Sequence, residues 1–250
     1  MIKKFMVPFT PAKEERMIHM YLPDDYDSSE ERYPVLYMFD GHNLYFDSDA
    51  TFGKCMGMKE FMDGWWKKMI IVGMQCSDKD RQRVDEYCPF TLQSAIYGTI
   101  EGRGDETIKW IVNELKPFID SSYRTWPQRE ATALAGYSAA GMLVVYAAIH
   151  YREAFSKVAS ISPSLIPAMD AIEKEIDAVD RFGDNRLFFS WGTNESTPEE
   201  DARVEECIRH IEAEVMKKGC KTYLYRHEGG THNEASWQYE VPVWMSFMWE

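Results

Sequence analysis

Three residues in this chain sit where acyl-transfer chemistry could use them: Ser138, His232 and Glu195. Ser138 lies in Gly136-Tyr137-Ser138-Ala139-Ala140-Gly141, between a short run of small apolar residues beginning at Ala131 and an Ala-rich stretch ending at Ile149. Strand, tight turn with a central Ser, then helix is the context in which a nucleophile elbow is built. Such a turn crowds the positions two before and two after the Ser, and Gly136 and Ala140 are both small. It also lifts the hydroxyl clear of the backbone and aims the amide of Ala139 at a bound carbonyl. With Gly and Ser each at about 7% of residues, the bare pattern arises by chance in roughly one chain in ten of this length. The flanking strand and helix patterns therefore carry the argument.

A Ser hydroxyl is a poor nucleophile until a base takes its proton, and that base needs a third group to hold its tautomer. In elbow sites the acid and then the base follow the Ser along the chain. Beyond Ser138 the histidines are His150, His210, His227 and His232. The first two fall on predicted helices, where a solvated role is expected. His227 ends a predicted strand and is the alternative base. His232 lies in the Gly-rich loop Glu228-Gly-Gly-Thr-His-Asn-Glu234, which can present an imidazole to Ser138. For the acid, Glu195 stands four residues past the strand-like run ending at Trp191, and Asp201 sits farther on, in the first turns of a helix. Glu195 is preferred and Asp201 stays open. A second oxyanion amide must come from the loop Asp40-Gly41-His42-Asn43, where Gly41 permits a sharp turn that frees the amide of His42 or Asn43. No H-x-H or H-E-x-x-H spacing accompanies these residues, so neither a metal nor another cofactor is expected.

The elements that must position these groups alternate. Residues 4–9 and 15–22 read as strands, and Tyr33–Phe39 and Met69–Met74 as buried strands with a helix near 59–66 between them. The segment 76–104 shows no clean period and reads as a long surface excursion. A helix starts at Asp105 with Ile108, Ile111, Val112, Leu115 and Ile119 on one stripe, and Pro117 is expected to bend or end it. Lys157–Ile161, Arg186–Trp191 and Lys221–Arg226 read as further strands, separated by helical patterns. Thr197-Pro-Glu-Glu200 reads as a capping box, and Gly219 as the end of the helix it opens. Alternation of this kind predicts an α/β fold with a mostly parallel central sheet and helices on both faces. Ligands of such sheets gather at the carboxyl ends of the strands. There the chain carries Asp40–Asn43, Ser138, Ser162-Pro-Ser164, Gly192–Glu195 and Gly230–Asn233.

The 250 residues suffice for one sizeable core and are read as a single domain spanning 1–250. A net charge of −13 argues against nucleic-acid or anionic-membrane partners. Five cysteines without a C-x-x-C pair, no apolar h-region after Met1, and no apolar run near ~18 residues predict a cytoplasmic, soluble protein with free thiols. The oligomeric state is not legible.

Tyr37–Leu44, Asp85–Pro89, Leu115–Asp120 with Tyr123–Thr125, GYSAAG, Ser160–Ser164, Gly192–Glu195 and His232–Trp237 together resemble the esterase family of the α/β-hydrolase superfamily. That family includes S-formylglutathione hydrolases, feruloyl and acetyl-xylan esterases, and siderophore trilactone esterases. The resemblance spans nearly the whole chain and implies an α/β-hydrolase fold. By resemblance, Ser138 is the nucleophile, His232 the base, Glu195 the acid, and His42 and Ala139 supply the oxyanion amides. Members commonly read GSSMGG where this chain has GYSAAG, so the bulkier Tyr137 and the extra methyl of Ala140 bear on pocket shape and elbow geometry. Tyr87, Tyr137 and Trp237 are expected to contact substrate. The implied activity is serine-dependent carboxylic-ester hydrolysis through an acyl-enzyme, on a small acyl ester of a sugar, aryl or siderophore-like compound. The alternatives are an acyltransferase using the same site and a non-catalytic binding module on the same fold.

Overall fold

The computed structural model describes residues 1–79, 81–94 and 96–250. In chain order the strands are β1 (Ile2–Phe9), β2 (Glu14–Tyr21), β3 (Val35–Phe39), β4 (Ile70–Met74), β5 (Leu92–Ser94), β6 (Gly98–Ile100), β7 (Thr132–Tyr137), β8 (Lys157–Ile161), β9 (Arg186–Gly192) and β10 (Lys221–His227). The helices are α1 (Met58–Gly64), α2 (Gln82–Tyr87), α3 (Gly104–Trp110), α4 (Lys116–Ser122), α5 (Ala139–His150), α6 (Met169–Asp177), α7 (Pro198–Lys217), α8 (Glu234–Trp237) and α9 (Val241–Trp249). Eight strands form one sheet in the order β1-β2-β4-β3-β7-β8-β9-β10. From β4 to β10 every neighbour is parallel, whereas β1 pairs β2, and β2 pairs β4, antiparallel. This is the predicted α/β-hydrolase architecture, and it puts β7, which leads into Ser138, near the middle of the sheet.

Side chains of a strand alternate between the two faces, and two apolar layers result. Tyr37, Phe39, Leu134, Val158, Leu187, Phe189 and Trp191 face the layer that packs against α2, α3, α5, α6 and α7. Leu36, Met38, Ala133, Ala135, Ala159 and Phe188 face the other, beneath α1 and α9. Each large apolar side chain fully buried this way contributes roughly 1.5–3 kcal/mol relative to exposure. Helix α5 is apolar on nearly every side because it lies under other elements as well as on β7 and β8.

Two sequence expectations change in detail. The segment 76–104 is not structureless: it holds α2 and the short hairpin β5–β6, elements too brief to show a period (Asp80 and Ala95 within it lie outside the described residues). Pro117 does not end its helix. The chain widens into a π turn over Ile111–Leu115 and continues as α4, with Pro117 in the first turn. A widened turn absorbs the amide hydrogen bond that proline cannot make. The capping box is half formed: the Thr197 hydroxyl accepts from the Glu200 amide, while the Glu200 carboxylate accepts from Ser196.

Candidate active site

Ser138 stands between β7 and α5 with φ 59° and ψ −124°. A positive φ is costly for any residue with a Cβ, by about 1–3 kcal/mol, and persists where the surroundings over-determine it. Here they do. The Ser138 amide donates to the Ile161 carbonyl at 3.0 Å, and its carbonyl accepts from the Ser164 amide at 3.1 Å. The small residues around it are required by contact, since a Cβ on Gly136 would sit 2.8 Å from that of Ala140.

The Ser138 hydroxyl lies 2.9 Å from Nε2 of His232. His232 is carried by the loop between β10 and α8, and backbone bonds tie this loop to the one after β9. Thr193 donates to the His227 carbonyl at 3.0 Å and Asn194 to the Gly230 carbonyl at 2.9 Å. The two loops touch so closely at Gly192 that a Cβ there would lie 2.2 Å from the Gly230 oxygen. Glu195 is thereby brought to His232, its Oε2 lying 2.7 Å from Nδ1. Its other oxygen accepts from the Gly192 amide at 2.7 Å and the Ser162 hydroxyl at 2.5 Å. Ser162 in turn accepts from the Trp237 indole at 2.9 Å. Burial pushes the Glu195 carboxyl up, but the hydrogen bonds from His232, Ser162 and Gly192 and the nearby imidazole outweigh it and hold it below the usual carboxylate range. An ionised Glu195 accepts from Nδ1–H, which leaves Nε2 free to accept from Ser138. Asp201 lies in the first turn of α7, its amide bonded to Thr197.

His42 and Ala139 each have an amide without an acceptor among the described residues. Ala139 is the first residue of α5, and His42 sits in a short 3-10 turn over Gly41–Asn43. Asp40, at φ 54°, opens that turn and is almost fully buried. Its carboxylate accepts from Arg83 Nε at 2.8 Å and Nη2 at 2.7 Å. Burial raises the Asp40 carboxyl, but the Arg83 charge and hydrogen bonds overcome this and keep it below its ordinary value. The turn presses on β4, where a Cβ on Gly41 would lie 2.3 Å from the Gly73 carbonyl carbon. The His42 ring is bonded to the Thr51 hydroxyl at 2.9 Å, and burial lowers its pKa, which favours the neutral imidazole.

These groups open onto a cleft of about 640 Å³ lined by Ser138, His232, His42, Arg83, Tyr137 and Trp237, among others. Tyr137 and Trp237, read from the sequence as substrate contacts, both line it. Tyr87 does not. It is buried, its ring packed edge-on against Phe39 at 4.9 Å and its hydroxyl donating to Asp40 at 3.4 Å, so it serves the core behind the Asp40 turn. Cys76 also lines the cleft, but burial first, and the Asp40 charge second, push its thiol up to about 12, so it offers no thiolate. Among the described residues, ligand-like spacing for a metal occurs at Glu173, His210 and Glu214, on α6 and α7 and not among the cleft residues. The i, i+4 placement of His210 and Glu214 was the available sequence signal for that group. The alternative base, His227, is bonded to Glu240 at 2.9 Å and not to Ser138. The contacts of Ser162 and Arg83 carried no local signal in the sequence.

The model of the Esterase family matches residues 11–245. This chain belongs to the Esterase family. Among solved structures, this esterase is similar to an IroE-like serine hydrolase from Shewanella oneidensis, with TM-score 0.79, 21% identity, and 99% of this chain and 79% of that one covered. It is also similar to the siderophore hydrolase EstA from Aspergillus nidulans, with TM-score 0.75 and 17% identity over 99% and 94% of the two chains. Esterase Rv1288 of Mycobacterium tuberculosis is 30% identical to it over 135 residues, 54% of this chain and 26% of that protein. The esterase therefore spans about a quarter of that relative's length. Its chemistry is ester hydrolysis. No helix among the described residues is long and apolar enough to cross a membrane.

Proposed function

We propose that the protein is a serine carboxylic-ester hydrolase that works through an acyl-enzyme on Ser138. The observation that carries this reading is the continuous hydrogen-bonded chain from Ser138 through His232 to Glu195, anchored at a strained elbow. Ser138 Oγ attacks the ester carbonyl as its proton passes to His232 Nε2. The amides of His42 and Ala139 take the charge that develops on the carbonyl oxygen. The imidazolium, held by ionised Glu195, then gives its proton to the leaving alcohol. Water repeats the sequence on the acyl-enzyme, with His232 again as base, and releases the acid.

The substrate is read as a small acyl ester with an aryl or hydroxylated part. The cleft volume of about 640 Å³ suits a small molecule. Tyr137 and Trp237 supply aromatic walls and Arg83 a hydrogen-bonding corner. Relatives of the same fold include a siderophore hydrolase, which makes a siderophore-like ester a natural member of the test set. The five free cysteines agree with residence in a reducing cytoplasm. A panel of acetyl, feruloyl, formyl-thioester and trilactone substrates tests the reading. Turnover of at least one member, abolished by Ser138→Ala, is expected. Turnover that survives Ser138→Ala contradicts it.

A further inference from the structure

We infer that Asn43, Tyr137 and Glu234 form a buried positioning network that keeps the oxyanion amide, the nucleophile and the base in register with one another. The inference rests on the reading of Ser138 as nucleophile. Each member adjoins one working group: Asn43 follows His42, Tyr137 precedes Ser138, and Glu234 lies two residues beyond His232. All three are buried, and all three border the cleft. They meet at one amide. Asn43 Nδ2 donates to Glu234 Oε1 at 2.8 Å and to the Tyr137 hydroxyl at 2.9 Å, while its Oδ1 accepts from the Thr51 amide at 2.9 Å. Both N–H donors are used and the orientation of the amide is fixed, because the Thr51 amide demands an acceptor.

Three segments far apart in the chain are thus joined at the place where their relative position decides the reaction. The individual triad contacts cannot do this. They set the Ser138–His232–Glu195 line but leave the His42 amide to be placed by its own loop, whose other end is held by the Asp40–Arg83 pair. Hydrogen bonds fix distance and direction where apolar packing fixes only volume. A misplacement of about 1 Å at such a site costs on the order of 10²-fold in rate. Burial, with the charge of Asp40 adding to it, raises the Glu234 carboxyl above its usual range, a cost tolerated at a position that needs an acceptor.

The test uses the whole protein with p-nitrophenyl acetate, and phenylboronic acid as a probe that forms a tetrahedral adduct on Ser138. Glu234→Met, which removes the acceptor, is expected to lower kcat by about 10–100-fold with KM within about threefold, and to weaken boronate inhibition by a similar factor. Glu234→Gln keeps an acceptor oxygen and should return kcat to within about threefold of wild type. Tyr137→Phe removes only the hydroxyl and should lower kcat by about 3–10-fold at unchanged melting temperature, which keeps the test decisive if Glu234→Met does not fold. A folded Glu234→Met, or Tyr137→Phe, with wild-type kcat and boronate affinity overturns the network while leaving Ser138 as nucleophile. Wild-type protein that neither hydrolyses the ester nor binds the boronate overturns the nucleophile reading, and the network with it.

Discussion

Two His–Glu pairs, whose histidines stand five residues apart along the chain, look alike by distance. His232 Nδ1 lies 2.7 Å from Glu195, and His227 Nδ1 lies 2.9 Å from Glu240. Their surroundings separate them. Glu195 receives three hydrogen bonds, from His232, Gly192 and Ser162, and stays below the usual carboxylate range. Glu240 is almost wholly buried, one of its oxygens has no hydrogen-bond partner among the described residues, and burial raises its pKa in spite of His227. The second nitrogen of His232 meets the Ser138 hydroxyl in an open cleft, whereas no bond to His227 Nε2 is found among the described residues. A His–carboxylate pair is therefore not by itself a relay. What makes one is a carboxylate kept ionised by further donors and an imidazole whose free nitrogen faces a nucleophile and a ligand. The His227 pair instead ties β10 to the residue before α9, beneath the loop that carries His232.

The comparison is broken most directly by exchanging the roles of the two imidazoles. His232→Ala should lower kcat/KM by about 10³–10⁵-fold and His227→Ala by less than about tenfold, measured on one ester with folding checked by circular dichroism. Equal losses would remove the distinction. Glu195→Gln should cost about 10²–10⁴-fold in kcat/KM, while Glu240→Gln and Asp201→Asn each cost less than about tenfold. A larger loss at Asp201 would move the acid onto α7.

The smallest effect is on stability, where the two carboxyls should act with opposite sign. The folded pKa of Glu195 lies below its ordinary value of 4.5, so its contribution is present above that pH and is lost as pH falls through the folded value. The folded pKa of Glu240 lies above 4.5, so the folded state binds this proton more tightly and loses stability as pH rises through the raised value. Thermal melts from about pH 3 to pH 8 should therefore show Glu195→Gln becoming more destabilising, relative to wild type, as pH rises toward 4.5. Glu240→Gln should become less so. Parallel trends for the two variants would contradict the assigned environments.

The sheet was legible because its strands are short apolar runs separated by helical periods, and β8 coincides with the predicted Lys157–Ile161. Ser138 was read from the strand, turn and helix pattern around it, and His232 and Glu195 from their order after it and their loops at the carboxyl ends of later strands. Other features rest on contacts that have no local period. Asp40 and Arg83 are 43 residues apart, and Asn43 and Glu234 are 191 apart. Nothing in either segment announces its partner. Ser162 was visible at the sheet edge, but its bond to Glu195 depends on how the loop after β9 curls. Tyr87 was misplaced for a related reason: an aromatic residue near a site can serve the core or the ligand, and only packing decides.

The central claim is that Ser138 carries the acyl group between the two half-reactions. Rapid quench of the protein with p-nitrophenyl acetate, followed by mass spectrometry of the peptide containing Ser138, tests it directly. The account predicts an acetyl adduct on Ser138 that forms within the first turnover and decays with release of acetate, and no adduct in Ser138→Ala. Hydrolysis without an adduct at Ser138, or a transient adduct on another residue that turns over at the steady-state rate, would contradict it.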